Sequence, residues 1–219
     1  MTIVTGIDGC RSGWVAVTLS GDEVRARTAS TLGGLGIEGV TGIDMPLGLL
    51  ADGWRTADAL ARRALGRRGA SVFAIPPRPV WAAPDYPAAN RRCRELTGRG
   101  LSAQAWGLRS ALLEADAFRR QCAHPLYEVH PELAFAALAG EEMLADSKHT
   151  AAGRARRRAL LHNAGIATPE RVAGAAEDDL LDAAAVAWSA RRIAAGTARV
   201  LPDPPVQRDD DGFEIAIRY

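Results

Sequence analysis

Five acidic residues sit in segments whose neighbours are apolar, and as a set they have the chemistry of a divalent-cation site. Asp8 interrupts the run Ile3 to Ile7, Asp44 ends Val40-Thr-Gly-Ile43, and Glu128 lies inside Leu126 to His130. Asp179 and Asp182 stand three residues apart near the start of a helical run, and so on one helix face. An ionised carboxylate at a buried strand end is unfavourable unless it is compensated. Taken singly, each is explained equally well by an arginine partner or, for Asp179, by a helix N-terminus. Taken together, they would repel and raise one another's pKa unless a cation lay between them. Oxygen donors without a cysteine or histidine spacing motif favour Mg²⁺ or Mn²⁺ over Zn²⁺. Two such ions would clamp the attacking and leaving oxygens of an in-line phosphoryl displacement.

Other groups are candidates for contact with a phosphate. Arg11 lies across a hairpin turn from Asp8, facing either a site carboxylate or substrate. His130 alternates onto the strand face of Glu128 and reads as a structural cap or as a phosphate contact. Lys148, with Ser147 and Thr150, reads equally as a phosphate contact or a surface turn. Phe73, Trp81 and Tyr86 could stack on unpaired bases, although aromatic residues in loops commonly pack as a satellite core. Trp106 and Trp188 read as core.

The elements that must position these residues follow from periodicity. Thr2 to Asp8, Gly13 to Leu19 and Val24 to Ala29 predict an antiparallel meander. Thr31 to Gly39 predicts at most a weak helix, and Val40 to Asp44 a buried strand. Helices are expected over Arg55 to Leu65, Ala88 to Leu96, Ser102 to Cys122, Arg154 to Asn163 and Glu177 to Ala195. A strand is expected over Pro125 to His130, with a helix opened by Pro131-Glu132. The Pro-rich stretch Ser71 to Pro87 is expected to be non-helical. Strict alternation over Phe213 to Tyr219 predicts a terminal edge strand that could pair across a homodimer. The fold class is α/β, with an antiparallel start, then strands alternating with helices, in a mixed sheet covered on both faces. The expected organisation is one domain over residues 1–201, completed by a Pro-rich linker and strand over 202–219.

Composition sets the outer bounds. In 219 residues, 47% are hydrophobic and 24% charged, the balance of a globular chain, and the net charge is +1. No global charge therefore draws the chain to nucleic acid or membrane, so any such surface must come from local segregation. Arginines do cluster, at Arg55 to Arg68, Arg91 to Arg99 and Arg154 to Arg158, while Lys148 is the only lysine. Solvated helix faces would look the same. Cys10, Cys93 and Cys122 are odd in number and lack a C-x-x-C pair, which suggests reduced thiols and a cytoplasmic protein. No signal segment or membrane span is expected.

Several blocks then carry a resemblance, in order along almost the whole chain. Gly6-Ile-Asp-Gly-Cys-Arg-Ser-Gly-Trp-Val15, Ile43-Asp-Met-Pro-Leu-Gly48, Ser71-Val-Phe73, Ser102-Ala-Gln-Ala-Trp106, Glu128-Val-His-Pro-Glu132, Ser147-Lys148 and Asp178-Asp-Leu-Leu-Asp-Ala-Ala184 resemble a widespread bacterial family of unknown function. That family is labelled as predicted nucleases of RNase H-like fold. Ser12 stands where the family pattern favours glycine, and His149 where a second lysine is common. The Asp-x-x-Asp-Ala pattern at Asp179 and Asp182 also resembles the final helix of Holliday-junction resolvases of this fold. The resemblance implies Asp8, Asp44, Asp179 and Asp182 as metal ligands, with Glu128 as a further catalytic position. It implies an RNase H-like, Mg²⁺- or Mn²⁺-dependent nuclease or phosphodiesterase with two ions, acting on nucleic acid or a small phosphoester. The competing expectations are a nucleotide-binding phosphotransferase and a noncatalytic nucleic-acid-binding module on the same fold.

Overall fold

Alternation of apolar residues with turn signals produces the leading hairpins as expected. In a computed structural model that describes residues 2–219, β1 (Ile3–Cys10), β2 (Gly13–Ser20) and β3 (Glu23–Ala29) form an antiparallel meander. The segment after it holds one 3-10 turn, Gly33–Leu35. β4 (Val40–Ile43) pairs parallel with β1, and β5 (Leu126–Val129) parallel with β4. With the short strands β6 (Val200–Leu201) and β7 (Ile217–Arg218), the mixed sheet has seven strands in the order β3-β2-β1-β4-β5-β7-β6.

The chain divides into two compact units. The first comprises residues up to Met45, Gln121–Arg199 and Arg218–Tyr219. It holds β1 to β5 and three helices: α6 (Pro131–Leu138), α7 (Ala151–Asn163) and α8 (Glu177–Ala194). α8 lies directly on β1, β2 and β4, and α6 and α7 pack against α8. Glycine makes this close approach possible. A Cβ on Gly6 would sit 2.0 Å from the Ala187 nitrogen and 2.2 Å from the Ala183 oxygen, and one on Gly42 would sit 2.8 Å from Val186 Cγ1. The helix answers with small side chains, since Ala183, Ala184, Ala185, Ala187 and Ala190 are all fully buried. A helix this near the sheet must carry its first turns past the strand ends, and that is how Asp182 reaches them.

The second unit comprises Pro46–Arg120 and Val200–Ile217. Its helices are α1 (Thr56–Leu65), α2 (Arg78–Trp81), α3 (Tyr86–Thr97), α4 (Ala103–Gly107) and α5 (Arg109–Gln121), the last reaching one residue beyond it. Three expectations change here. The Pro-rich stretch contains one helical turn, α2, which accepts Pro79 because the first turn needs no N–H there. The helix expected over Ser102 to Cys122 is two helices. Gly107 is a poor helix former, and the turn closes tightly from Leu108 N–H to Ala105 O before α5 restarts. The terminal run is mostly not an edge strand. Ile215 N–H bonds back to Gln207 O, Glu214 bridges Arg208, and Asp209 N–H bonds to Phe213 O, so half the alternation is spent in a local turn. Only Ile217–Arg218 joins the sheet, inside β6, while Tyr219 exchanges backbone bonds with Arg199 of the first unit.

The loop aromatic residues pack as a satellite core. Trp81 is buried, its indole N–H donates to Pro76 O, and its ring stacks on Trp106 at 6.3 Å between centroids. The Tyr86 hydroxyl donates to Leu101 O. Trp188 lies partly buried against the α8 core, with Arg192 over its ring. All three cysteines are free. Among the described residues, no helix is long and apolar enough to cross a membrane.

Candidate cation site

Parallel register aligns two of the acids. Ile7 is opposite Ile43, and Asp44 N–H donates to Ile7 O at 2.8 Å, so Asp8 and Asp44 occupy the next row at the strand ends. Side chains alternate along a strand. Asp8 therefore shares a face with Gly6, and Asp44 with Gly42, which is the face covered by α8. Asp179, Asp182, Ala183, Val186 and Ala187 form one stripe of α8 at spacings of three and four. The lower part of this stripe touches Gly6 and Gly42, and its upper part carries Asp182 to the two aspartates. Three elements thus deliver three carboxylates to one place within the first unit.

The electrostatics report the crowding. Burial, then the charges of Asp44 and Asp182, push the Asp8 carboxyl well above the ordinary range, against the opposing pull of Lys148. Asp44 is raised to about 7 by burial, with Glu128 and Glu132 adding to it and Lys148 and a hydrogen bond with Asp8 opposing it. Asp182 is raised to about 6 by burial, despite Lys148. Asp8 Oδ1 also accepts from Gly9 N–H at 2.8 Å. Lys148 Nζ lies 2.6 Å from Asp182 Oδ2. Burial opposes the charge on Lys148, but Asp182, Asp8 and Asp44 outweigh it and raise its pKa.

The remaining expected site residues are placed differently. Asp179 is half-buried; its Oδ2 accepts from Ala176 N–H at 3.2 Å and so caps α8, and burial raises its pKa. Glu128 pairs with Ile43 in register, which puts it on the sheet face opposite Asp8 and Asp44, although Asp44 feels its charge. His130 stands at the N-cap position of α6, but its side chain makes no cap bond. Arg11 lies on the exposed hairpin turn and forms no ion pair among the described residues. Sequence reasoning missed Arg157. It is completely buried, 2.7 Å from Glu132, with its guanidinium over the Phe135 ring. It sat in an arginine run that read as a solvated face, and nothing in its spacing set it apart.

The donors are of the chemical type that a hard cation takes. They are all carboxylate oxygens, and Asp182 Oδ1 is buried without a hydrogen-bond partner. Among the described residues, no group of three or more His, Cys, Asp or Glu stands ready to hold a metal ion. Mg²⁺ keeps several waters and is commonly held by one or two carboxylates plus substrate phosphate, so an open donor set suits it.

The crowding of carboxylates has a consequence for stability. Groups with folded pKa values raised above the unfolded 3.8 bind protons better when folded, so their contribution is complete below that value and is lost as pH rises through about 6 for Asp182 and about 7 for Asp44. In EDTA, Asp44→Asn is expected to melt above wild type at pH 8 and to lose that advantage by pH 4. The gain should be on the order of 1–2 kcal/mol, or about 2–8 °C. Calorimetry across this pH range checks it, and an unchanged or lower melting point at pH 8 would contradict the crowding.

No curated protein and no solved structure gives a significant match to the chain. One family model does match, covering residues 6–207 and described as a protein of unknown function, DUF429. The match runs from within β1 to beyond α8, including Asp8, Asp44, Lys148 and Asp182, and the chain belongs to the DUF429 family.

Proposed function

We propose that the chain is a divalent-metal-dependent phosphodiester hydrolase acting on nucleic acid, with an RNase H-like arrangement, in the cytoplasm. The observation that carries the reading is the convergence of Asp8, Asp44 and Asp182 from three elements onto one crowded anionic spot. An antiparallel β3-β2-β1 start continued by parallel β4 and β5 agrees with the fold part of the proposal.

Asp8, Asp44 and Asp182 would hold Mg²⁺ or Mn²⁺, with Asp179 at the margin. When bound, the metal supplies Lewis-acid stabilisation of phosphate and a water more easily deprotonated at neutral pH. The chain's own groups do the positioning. Gly9 N–H fixes one Asp8 oxygen, and a side-chain hydrogen bond joins Asp8 to Asp44. Burial and mutual charge raise the pKa of both Asp8 and Asp44, so cation loading would favour release of protons from the pair. Glu132, paired with the buried Arg157, adds negative charge felt by Asp44 and Asp182.

The arginine clusters bear on polymer against small phosphoester. The third is largely consumed, since Arg154 and Arg158 both pair with Glu177 and Arg157 with Glu132. Asp209 and Asp211 are likewise engaged by Arg119 and Arg120. In the second unit, Arg62, Arg63 and Arg67 are exposed without an ion pair among the described residues, a small region of free positive charge.

The test is cleavage of labelled single- and double-stranded DNA and RNA, and of bis(p-nitrophenyl) phosphate, with Mn²⁺ and with EDTA. Metal-dependent cleavage is expected, and its absence across the panel would remove the proposal. Arg62→Glu with Arg63→Glu and Arg67→Glu is expected to weaken polymer binding and to lower the salt slope by about 0.9 for each phosphate no longer neutralised. Hydrolysis of the small ester should not change. An unaltered salt slope would assign these arginines to a solvated face.

A further inference from the structure

The fold places the chain's only lysine where a cation is needed. Lys148 Nζ lies 2.6 Å from Asp182 Oδ2 and is near enough to Asp8 and Asp44 to favour their ionised forms. Asp182 Oδ1, on the same carboxylate, is buried and has no hydrogen-bond partner. The backbone that carries Lys148 is pinned on both sides. Arg157 donates to Asp146 O at 3.2 Å, Thr150 donates to Ser147 O through both its hydroxyl and its N–H, and Arg154 donates to His149 O at 2.8 Å. Gly153 packs so tightly on this segment that a Cβ would lie 1.9 Å from Ser147 O. The lysine side chain is not pinned in the same way. It is 33% exposed, and its one hydrogen bond among the described residues is to Asp182.

A fixed backbone with a partly exposed, charged end suits an exchange. We propose that Lys148 is the resident cation of the site, exchanging with the divalent ion for Asp182 by moving its side chain while its backbone stays in place. The inference rests on the metal reading above and adds the identity of the competing group. A carboxylate held by an ammonium is a poorer ligand, because the incoming ion must displace one positive charge and tolerate it nearby. In return, the ammonium limits repulsion among the three acids while no ion is bound. Lys148 thus sets the affinity of the site for metal, a role separate from contact with phosphate. Arg157 is then a positioning residue, holding the segment from which Lys148 reaches Asp182.

The test compares EDTA-treated wild type and Lys148→Met in Mn²⁺ titrations, with free Mn²⁺ followed by electron paramagnetic resonance. Lys148→Met is expected to bind Mn²⁺ at least about tenfold more tightly and to melt below wild type in EDTA. Equal or weaker affinity in the variant, where wild type binds, overturns the exchange and leaves the metal reading standing. Absence of Mn²⁺ binding by both overturns both. A second measurement needs no variant. As the sole lysine, Lys148 can be followed by its acetylation rate in peptide mass spectrometry of the wild-type protein. Saturating Mn²⁺ is expected to speed acetylation severalfold, because Nζ leaves its bond to Asp182 and becomes free to react. An unchanged or slower rate overturns the proposal.

Discussion

Asp8→Asn is expected to reduce Mn²⁺-dependent phosphodiester cleavage by about 10³-fold, the scale of losing several kcal/mol of metal-centred stabilisation, while the protein stays folded. The two halves of this result have separate origins. Asparagine keeps an oxygen to accept from Gly9 N–H, the bond Asp8 Oδ1 makes now at 2.8 Å. It also removes a negative charge from a place where burial and three further aspartates already disfavour it, so the melting temperature in EDTA should match or exceed wild type. An amide cannot supply the anionic oxygen that a hard cation needs. Abolished activity with a raised melting point separates a functional carboxylate from a structural one, because removing a structural ion pair would lower both. Full activity in Asp8→Asn would remove this residue from the mechanism.

Gly6→Ala is expected to destabilise the protein by about 3 kcal/mol or more, lowering the melting temperature by roughly 6–12 °C. The new methyl would meet the Ala187 nitrogen at 2.0 Å and the Ala183 oxygen at 2.2 Å. These are backbone atoms of α8 with no rotamer to relieve the clash, so the helix must move away from β1. Asp182 moves with it, and metal affinity should fall even below the variant's melting temperature. Gly33→Ala serves as the control, since nothing lies within 4 Å of its added Cβ. Thermal melts of both variants with and without Mn²⁺ make the comparison. A Gly6→Ala protein as stable as wild type would mean that α8 does not depend on this close approach.

The sequence made the elements around the site legible because each had a local cause. The hairpins followed from alternation with turn signals, and α8 from its helical run ended by Gly196. The convergence of Asp8 and Asp44 could be expected from their strand ends, although Gly6 and Gly42 in the same strands were the more direct signal of a helix lying close to both. Other features depended on tertiary contacts that leave no periodic trace. Glu128 falls on the far sheet face because β5 pairs with β4 in the register that matches it to Ile43, and register is a property of the sheet. Asp179 serves as a cap, one of the two roles its position allowed. Lys148 gave no sign of its carboxylate partner, since the 34 positions separating it from Asp182 are bridged only by the folded chain. Arg157 was indistinguishable in sequence from its solvated neighbours. The alternation over Phe213 to Tyr219 misled because the Asp209–Phe213 turn captures its first half.

Anomalous diffraction from a crystal soaked in Mn²⁺ at neutral pH tests the cation site directly. An anomalous peak bounded by Asp8, Asp44 and Asp182 is expected, with the Lys148 ammonium displaced from Asp182. A crystal whose Mn²⁺ lies elsewhere, or nowhere, with Lys148 still bonded to Asp182, would contradict that expectation.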